Sequence, residues 1–98
     1  MKILTIGRKG TDIVLEDSNK QISRLQAELT ITASGKYYMV DCGSSNGTSV
    51  KQDGKWQPVK QEYVKPEDEV RFGGFYTITV SELLKKAGAA APLLLTKA

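Results

Sequence analysis

Asp41-Cys42-Gly43-Ser44-Ser45-Asn46-Gly47-Thr48-Ser49-Val50 is the stretch on which the reading of this chain turns. Its middle is built from small and polar residues that favour tight turns, because their side chains bond nearby backbone or, for glycine, tolerate unusual dihedrals. Both flanks are extended in character: Lys36 to Asp41 leads in, and Thr48-Ser49-Val50 leads out. Two further polar loops lie upstream, Gly7-Arg8 and Ser23-Arg24, each bounded by alternating apolar runs. Two of the three loops carry an arginine. This is the layout of a β-scaffold whose loops converge on an anion.

Working outward, an apolar period of two recurs along the chain and argues for strands. Ile3, Leu4 and Ile6 form a first strand ending at Gly7-Arg8-Lys9-Gly10, and Asp12 to Leu15 a short second one. Ala27, Leu29 and Ile31 alternate with Glu28, Thr30 and Thr32, and Ala33-Ser34-Gly35 turns the chain into Lys36 to Asp41. Asp53-Gly54 is a preferred two-residue hairpin connection. Trp56 to Val59 follows as a strand that Pro58 places at an edge or near an end. Val70 and Phe72 lie on the next strand, Gly73-Gly74 interrupts it, and Phe75 to Val80 is the clearest strand. Many short strands separated by frequent turns indicate an all-β sandwich. From Ser81 the pattern changes to a short helix, Ser81 to Gly88, capped by Ser81 and stopped by Gly88. Ala89 to Ala98 reads as a frayed end or the start of a linker.

Composition narrows the function classes. The chain has 98 residues with 14 basic and 11 acidic side chains, a net charge of +3 that is too weak to imply nucleic acid. Histidine is absent, which removes the usual general base and the commonest metal ligand. The one cysteine, Cys42, rules out an intramolecular disulfide and fits a reducing compartment. No apolar run reaches the ~20 residues of a membrane span, and Met1-Lys2 leads directly into a strand rather than a signal peptide. A cytoplasmic location and no cofactor are the expectations. Asp12, Asp17, Glu28 and Asp41 show no catalytic spacing, and no nucleophile has a paired base, so an enzyme is not expected.

Taken in order, Gly7-Arg8, Ser23-Arg24, Asp41-x-Gly43-Ser44-x-Asn46-Gly47-Thr48-x-Val50 and Asp68-x-Val70-x-x-Gly73 resemble the forkhead-associated (FHA) domain over about residues 1 to 80. Each piece alone is weak; the Asp-x-Gly-Ser-x-Asn-Gly-Thr run and the ordered set are specific. The resemblance implies an FHA-type sandwich of two mostly antiparallel sheets over residues 1–82, with a short C-terminal helix and tail or linker start over 83–98. It also implies a non-catalytic module that reads phosphothreonine on targets of Ser/Thr kinases, through loops at one end. By position, Arg8 would grip the phosphate, Ser23 and Ser45 would donate hydroxyl bonds to it, and Arg24 would take the second phosphate-facing position of its loop. Asn46 would hold the peptide backbone, Gly47 and Thr48 would shape the loop, and Gly7 would set the turn that presents Arg8.

The chemistry stands beside the resemblance. Phosphothreonine carries about −1.5 to −2 charges and three acceptor oxygens near neutral pH. Arginine offers a planar fork that never deprotonates, and serine hydroxyls rotate to meet the remaining lone pairs. Each charge-assisted bond contributes roughly 1.5–3 kcal/mol, so two or three separate a phosphorylated from an unmodified ligand.

Two positions depart from the family pattern. Gln26 stands where a histidine that bridges the binding loops is usual, and Glu67 stands where glycine often precedes Asp68. Glutamine both donates and accepts, so it can brace the loops through a more flexible side chain. The departure keeps open a second use of the fold, as a phosphate-independent interaction or assembly module. Either Ser44 or Ser45 can be the purely structural serine. Arg24 also reads as a solvated residue, Asn46 also as a loop brace, and Asn46-Gly47-Thr48 as a coincidental glycosylation sequon. Tyr37, Tyr38, Trp56 and Phe75 read as sheet-packing aromatics rather than a stacking platform for bases.

Overall fold

The computed structural model describes residues 1–90, as nine strands and one helix. In chain order the strands are β1 (Lys2–Gly7), β2 (Ile13–Val14), β3 (Ala27–Ile31), β4 (Tyr37–Asp41), β5 (Thr48–Gln52), β6 (Lys55–Pro58), β7 (Gln61–Val64), β8 (Glu69–Phe72) and β9 (Tyr76–Thr79). They form a five-stranded sheet of order β2-β1-β3-β4-β7 and a four-stranded sheet of order β6-β5-β8-β9. Every pairing is antiparallel except that of β1 with β2, where Ile6 stands opposite Ile13. The mostly antiparallel two-sheet architecture is thus as expected.

Alternation decides what each sheet buries. Leu4 and Ile6 on β1, Ala27 and Leu29 on β3, and Met39 on β4 turn inward from one sheet; Val50, Val70, Phe72 and Ile78 turn inward from the other. Ile13, Leu15 and Ile22 close the same core from the segments that follow β1. Each of the Leu, Ile, Val, Met and Phe side chains among them contributes roughly 1.5–3 kcal/mol by leaving water. The Asp53-Gly54 turn joins β5 to β6 with φ of 53° and 76°, the left-handed pair that a type I′ hairpin requires, and pairs Gln52 with Lys55. Pro58 lies on β6, an edge strand, where its missing N–H costs no ladder bond.

Three features differ from the sequence reading. First, Gln61–Val64 is a strand, β7, paired with β4 at the edge of the larger sheet. Second, the last strand is Tyr76–Thr79, and Phe75 stands half exposed before it, edge-on to Tyr76. Third, the helix α1 (Val80–Ala90) begins before Ser81 and runs past Gly88. Its cap is Thr79, whose Oγ1 accepts from the Glu82 N–H at 3.1 Å while the Glu82 carboxylate accepts from the Thr79 N–H at 3.1 Å. This reciprocal pair is a capping box. The division drawn between residues 82 and 83 falls within this helix, and Val80, Leu83 and Ala87 belong to the core. Of the tail read from Ala89 onward, the part after residue 90 lies outside the described residues.

Candidate functional site

The loops after β1, before β3 and between β4 and β5 meet at one end of the sandwich, and a chain of hydrogen bonds ties them. Gly7 closes β1 with backbone so near the second loop that a Cβ on it would lie 1.8 Å from the Arg24 carbonyl oxygen. Glycine is therefore required for close approach: its own φ is not left-handed, and it ends a strand rather than setting a turn. The contact lets the Arg8 N–H donate to the Ser23 carbonyl at 3.1 Å and the Gln26 N–H donate to that of Ile6 at 2.8 Å.

Arg8 is half-buried, and its Nε donates to the Ile22 carbonyl at 2.9 Å. That bond uses the inner donor of the guanidinium and leaves its terminal nitrogens without a hydrogen-bond partner among the described residues. Among the described residues no carboxylate lies within salt-bridge distance of Arg8 or Arg24. Arg8 is therefore an oriented cation without a close ion-pair partner; Arg24 is exposed and makes no side-chain hydrogen bond among the described residues.

Ser23 and Ser45 meet across the two loops: the Ser45 N–H donates to Ser23 Oγ at 3.1 Å. A hydroxyl that accepts there keeps its proton for an anion. The Ser45 hydroxyl is exposed and has no intramolecular partner among the described residues. Ser44 is the structural member of the pair. Its hydroxyl donates to Asp41 Oδ1 at 2.6 Å and accepts from the Gly47 N–H at 3.1 Å, while its own N–H donates to Asp41 Oδ2 at 3.0 Å. Thr48 Oγ1 donates to Asp41 Oδ1 at 2.7 Å, so one carboxylate holds both ends of the loop.

Gln26 completes the frame. It is fully buried; its Oε1 accepts from the Ser23 N–H at 2.9 Å, and its Nε2 donates to the Gly47 carbonyl at 2.8 Å and to Thr48 Oγ1 at 3.0 Å. The amide can face only one way, because an N–H meets its oxygen and a carbonyl meets its nitrogen. Gly47 holds φ of +83°, a left-handed value that favours glycine, at the point where the loop turns into β5.

Asn46 is exposed and donates through Nδ2 to the Gln21 carbonyl at 2.9 Å and to Gln21 Oε1 at 3.2 Å, leaving its carbonyl oxygen open. The segment that presents Gln21 is ordered by Asp17, whose carboxylate accepts from the N–H groups of Asn19, Gln21 and Ile22. Burial pushes the Asp17 carboxyl up; those backbone donors and the nearby Arg8 charge outweigh it and hold the group below its ordinary value. Asp17, Gln21 and Asp41 are thus parts of the site that the sequence reading did not assign a role. The available signal was local: an aspartate followed within three residues by serine or asparagine is a turn former.

The arrangement can do one thing well. It offers a fixed guanidinium, two hydroxyls and a side-chain amide at one end of the sandwich, and among the described residues no group is placed there to activate a nucleophile. Among the described residues no cluster of metal-ligating side chains occurs, and no helix is long and apolar enough to cross a membrane.

Comparison with known proteins agrees with this geometry. Among curated proteins, none matches the chain. Among solved structures, the FHA domain of the CT664 protein from Chlamydia trachomatis is 28% identical with a TM-score of 0.62, over 78% of this chain and 70% of that one. An FHA domain from a structural and functional study of phosphothreonine-dependent FHA interactions is 26% identical with a TM-score of 0.64, over 78% of this chain and 73% of that one. EmbR from Mycobacterium tuberculosis, solved with a low-affinity phosphopeptide, is 28% identical with a TM-score of 0.57 over 71% of this chain, which spans only 17% of EmbR. The FHA domain family model matches residues 4–73, and the chain belongs to the FHA domain family.

Proposed function

We infer that this chain is a non-catalytic module that binds phosphothreonine-containing segments of other proteins. The observation that carries the reading is Arg8: a guanidinium held by the Ile22 carbonyl, with no carboxylate within salt-bridge distance among the described residues, on the loop that meets those of Ser23 and Ser45. An anion with several acceptor oxygens satisfies all three, and charge-assisted bonds of this kind are the strong ones. Asn46, already held by Gln21, presents its open carbonyl oxygen to the backbone N–H of an extended peptide. EmbR, solved with a low-affinity phosphopeptide, and an FHA domain studied for phosphothreonine-dependent interactions support the same assignment. The targets are by this reading products of Ser/Thr kinases.

The test is titration of matched phosphothreonine, phosphoserine and unmodified peptide pools against wild type and Arg8→Ala. Phosphothreonine-selective binding that disappears with Arg8 is the expected result. Equal binding of all three pools by a folded protein would replace this reading with the phosphate-independent assembly module.

A further inference from the structure

The open face of the four-stranded sheet carries a cluster that phosphate recognition does not use. Lys51 stands opposite Trp56 on β6, and its Nζ lies 3.8 Å from the carboxylate of Glu69 on β8. In the next row Ser49 stands between Pro58 and Arg71. Arg71 reaches diagonally across β5 to place its guanidinium carbon 4.2 Å from the centroid of the Trp56 ring, and Lys51 Nζ lies 6.0 Å from the same centroid. Two cations therefore share one indole, and only one of them has a carboxylate. Stacking orders the Arg71 fork without consuming its donors. Among the described residues Arg71 has no ion pair, and the Ser49 hydroxyl beside its path has no hydrogen bond.

This face is continuous with the recognition end. Thr48 pairs with Phe72, and just beyond them the Gly73 N–H donates to the Gly47 carbonyl at 3.0 Å. The Ser49–Arg71 row is the next one along the sheet. At about 3.3 Å per residue, Ser49 lies about 10 Å along the chain from Asn46. A ligand leaving Asn46 in extended form reaches that row in about three residues.

We propose that Arg71, Lys51 and Trp56 form a second docking surface for an acidic segment, rich in Asp or Glu, lying about four to eight residues from the phosphothreonine of the same ligand. The proposal rests on the phosphothreonine reading for its geometry, and on charge complementarity for its ligand. Nucleic acid fits less well, because Arg71 covers the indole face on which a base would stack.

The experiment uses one phosphothreonine peptide selected from a degenerate pool, extended on either side with alternating Asp and Glu or with alternating Asn and Gln. Both forms are titrated at ~50 mM and ~300 mM salt, across which screening of exposed charges grows. Wild type should bind the acidic form about fivefold more tightly at low salt. Arg71→Gln should abolish that preference, Lys51→Gln reduce it, and Arg71→Lys leave part of it, with the neutral form bound equally by all. Equal affinity for the two forms in wild type, or a preference that survives Arg71→Gln, overturns the proposal. If neither form binds, the phosphothreonine reading fails, and the surface is judged by an unphosphorylated Asp/Glu peptide and the Trp56 indole N–H resonance. A shift present in wild type and absent in Arg71→Gln upholds the surface; no shift, or a shift produced by single-stranded DNA at lower concentration, overturns it.

Discussion

The side-chain amide of Gln26 donates to the carbonyl of Gly47, 21 residues away in sequence, at a distance of 2.8 Å. With its bonds to Ser23 and Thr48 it joins two of the loops that form the recognition end, and it does so with no part exposed. Removing it strands a buried hydroxyl at Thr48 and part-buried backbone groups at Ser23 and Gly47. Gln26→Ala should therefore destabilise the fold by about 3 kcal/mol, since each orphaned buried group costs about 1–3 kcal/mol. Phosphopeptide affinity should fall with it by about tenfold, near 1.4 kcal/mol. Gln26→His is the informative comparison. Its two ring nitrogens can accept from Ser23 and donate to Gly47 or Thr48, so it should retain most of both stability and affinity, as measured by denaturant melts and peptide titration.

Ser44 and Ser45 are adjacent, and the structure separates their tasks. Ser44→Ala removes the hydroxyl that links Asp41 to the Gly47 N–H, and should cost about 1–2 kcal/mol of stability. Ser45→Ala removes a hydroxyl with no partner among the described residues and should leave stability unchanged while weakening phosphopeptide binding. Urea denaturation of both variants, paired with the titration, distinguishes the two; a stability loss in Ser45→Ala would reverse the assignment.

Gly7 has a steric rather than a conformational duty. Gly7→Ala places a methyl group against the Arg24 carbonyl in a position no real Cβ occupies, and the second loop must move away. The expected cost is about 3 kcal/mol, the upper end for overpacking. Loss of the Arg8–Ser23 backbone bond should appear as faster amide exchange at Arg8.

The helix is a working part of the core. Leu83 is fully buried within it, so Leu83→Ala should cost about 2–5 kcal/mol. Thr79→Ala, which opens the capping box, should cost about 1 kcal/mol. Ending the chain after residue 82 should leave a domain with a sharply lower melting temperature than one ending after residue 90.

Why some of this was legible in the sequence follows from what each residue faces. Strands with one buried side, such as Ala27–Ile31 and Glu69–Phe72, print their alternation into the chain. Gln61–Val64 does not, because three of its four residues are exposed at an edge and only Val64 is buried. Val80 read as the end of a strand because an apolar residue suits either element; the cap at Thr79 decides, and the capping box is found only once the helix is placed two residues earlier. The three polar loops were legible as interruptions of apolar alternation, but Arg8, Ser23, Ser45 and Asn46 could be named as a set only through the ordered motifs that resemble the FHA domain. The parallel pairing of Ile6 with Ile13, and the approach of Arg24 that makes Gly7 necessary, are tertiary facts with no pattern in the sequence.

Acid should test the loop ordered by Asp17 separately from the helix capped by Glu82. Both carboxyls lie below their ordinary values in the folded protein: Asp17 because backbone donors and Arg8 outweigh burial, Glu82 through its backbone and side-chain bonds to Thr79 and the lysines that follow. A carboxyl depressed by folding contributes stability that is complete above its unfolded value, about 3.9 for Asp and 4.3 for Glu, and lost as pH falls through the lower folded value. Stability should therefore decline below about pH 4, in the direction of proton uptake by the unfolded chain. Asp17→Asn should remove part of that slope and leave the rest to Glu82. Followed by NMR, the Ile22 amide should report the first titration and the Glu82 amide the second, since each is the donor to, or the neighbour of, its own carboxylate. An Ile22 amide that does not respond between pH ~5 and ~2 would show that the Asp17 network does not order the loop.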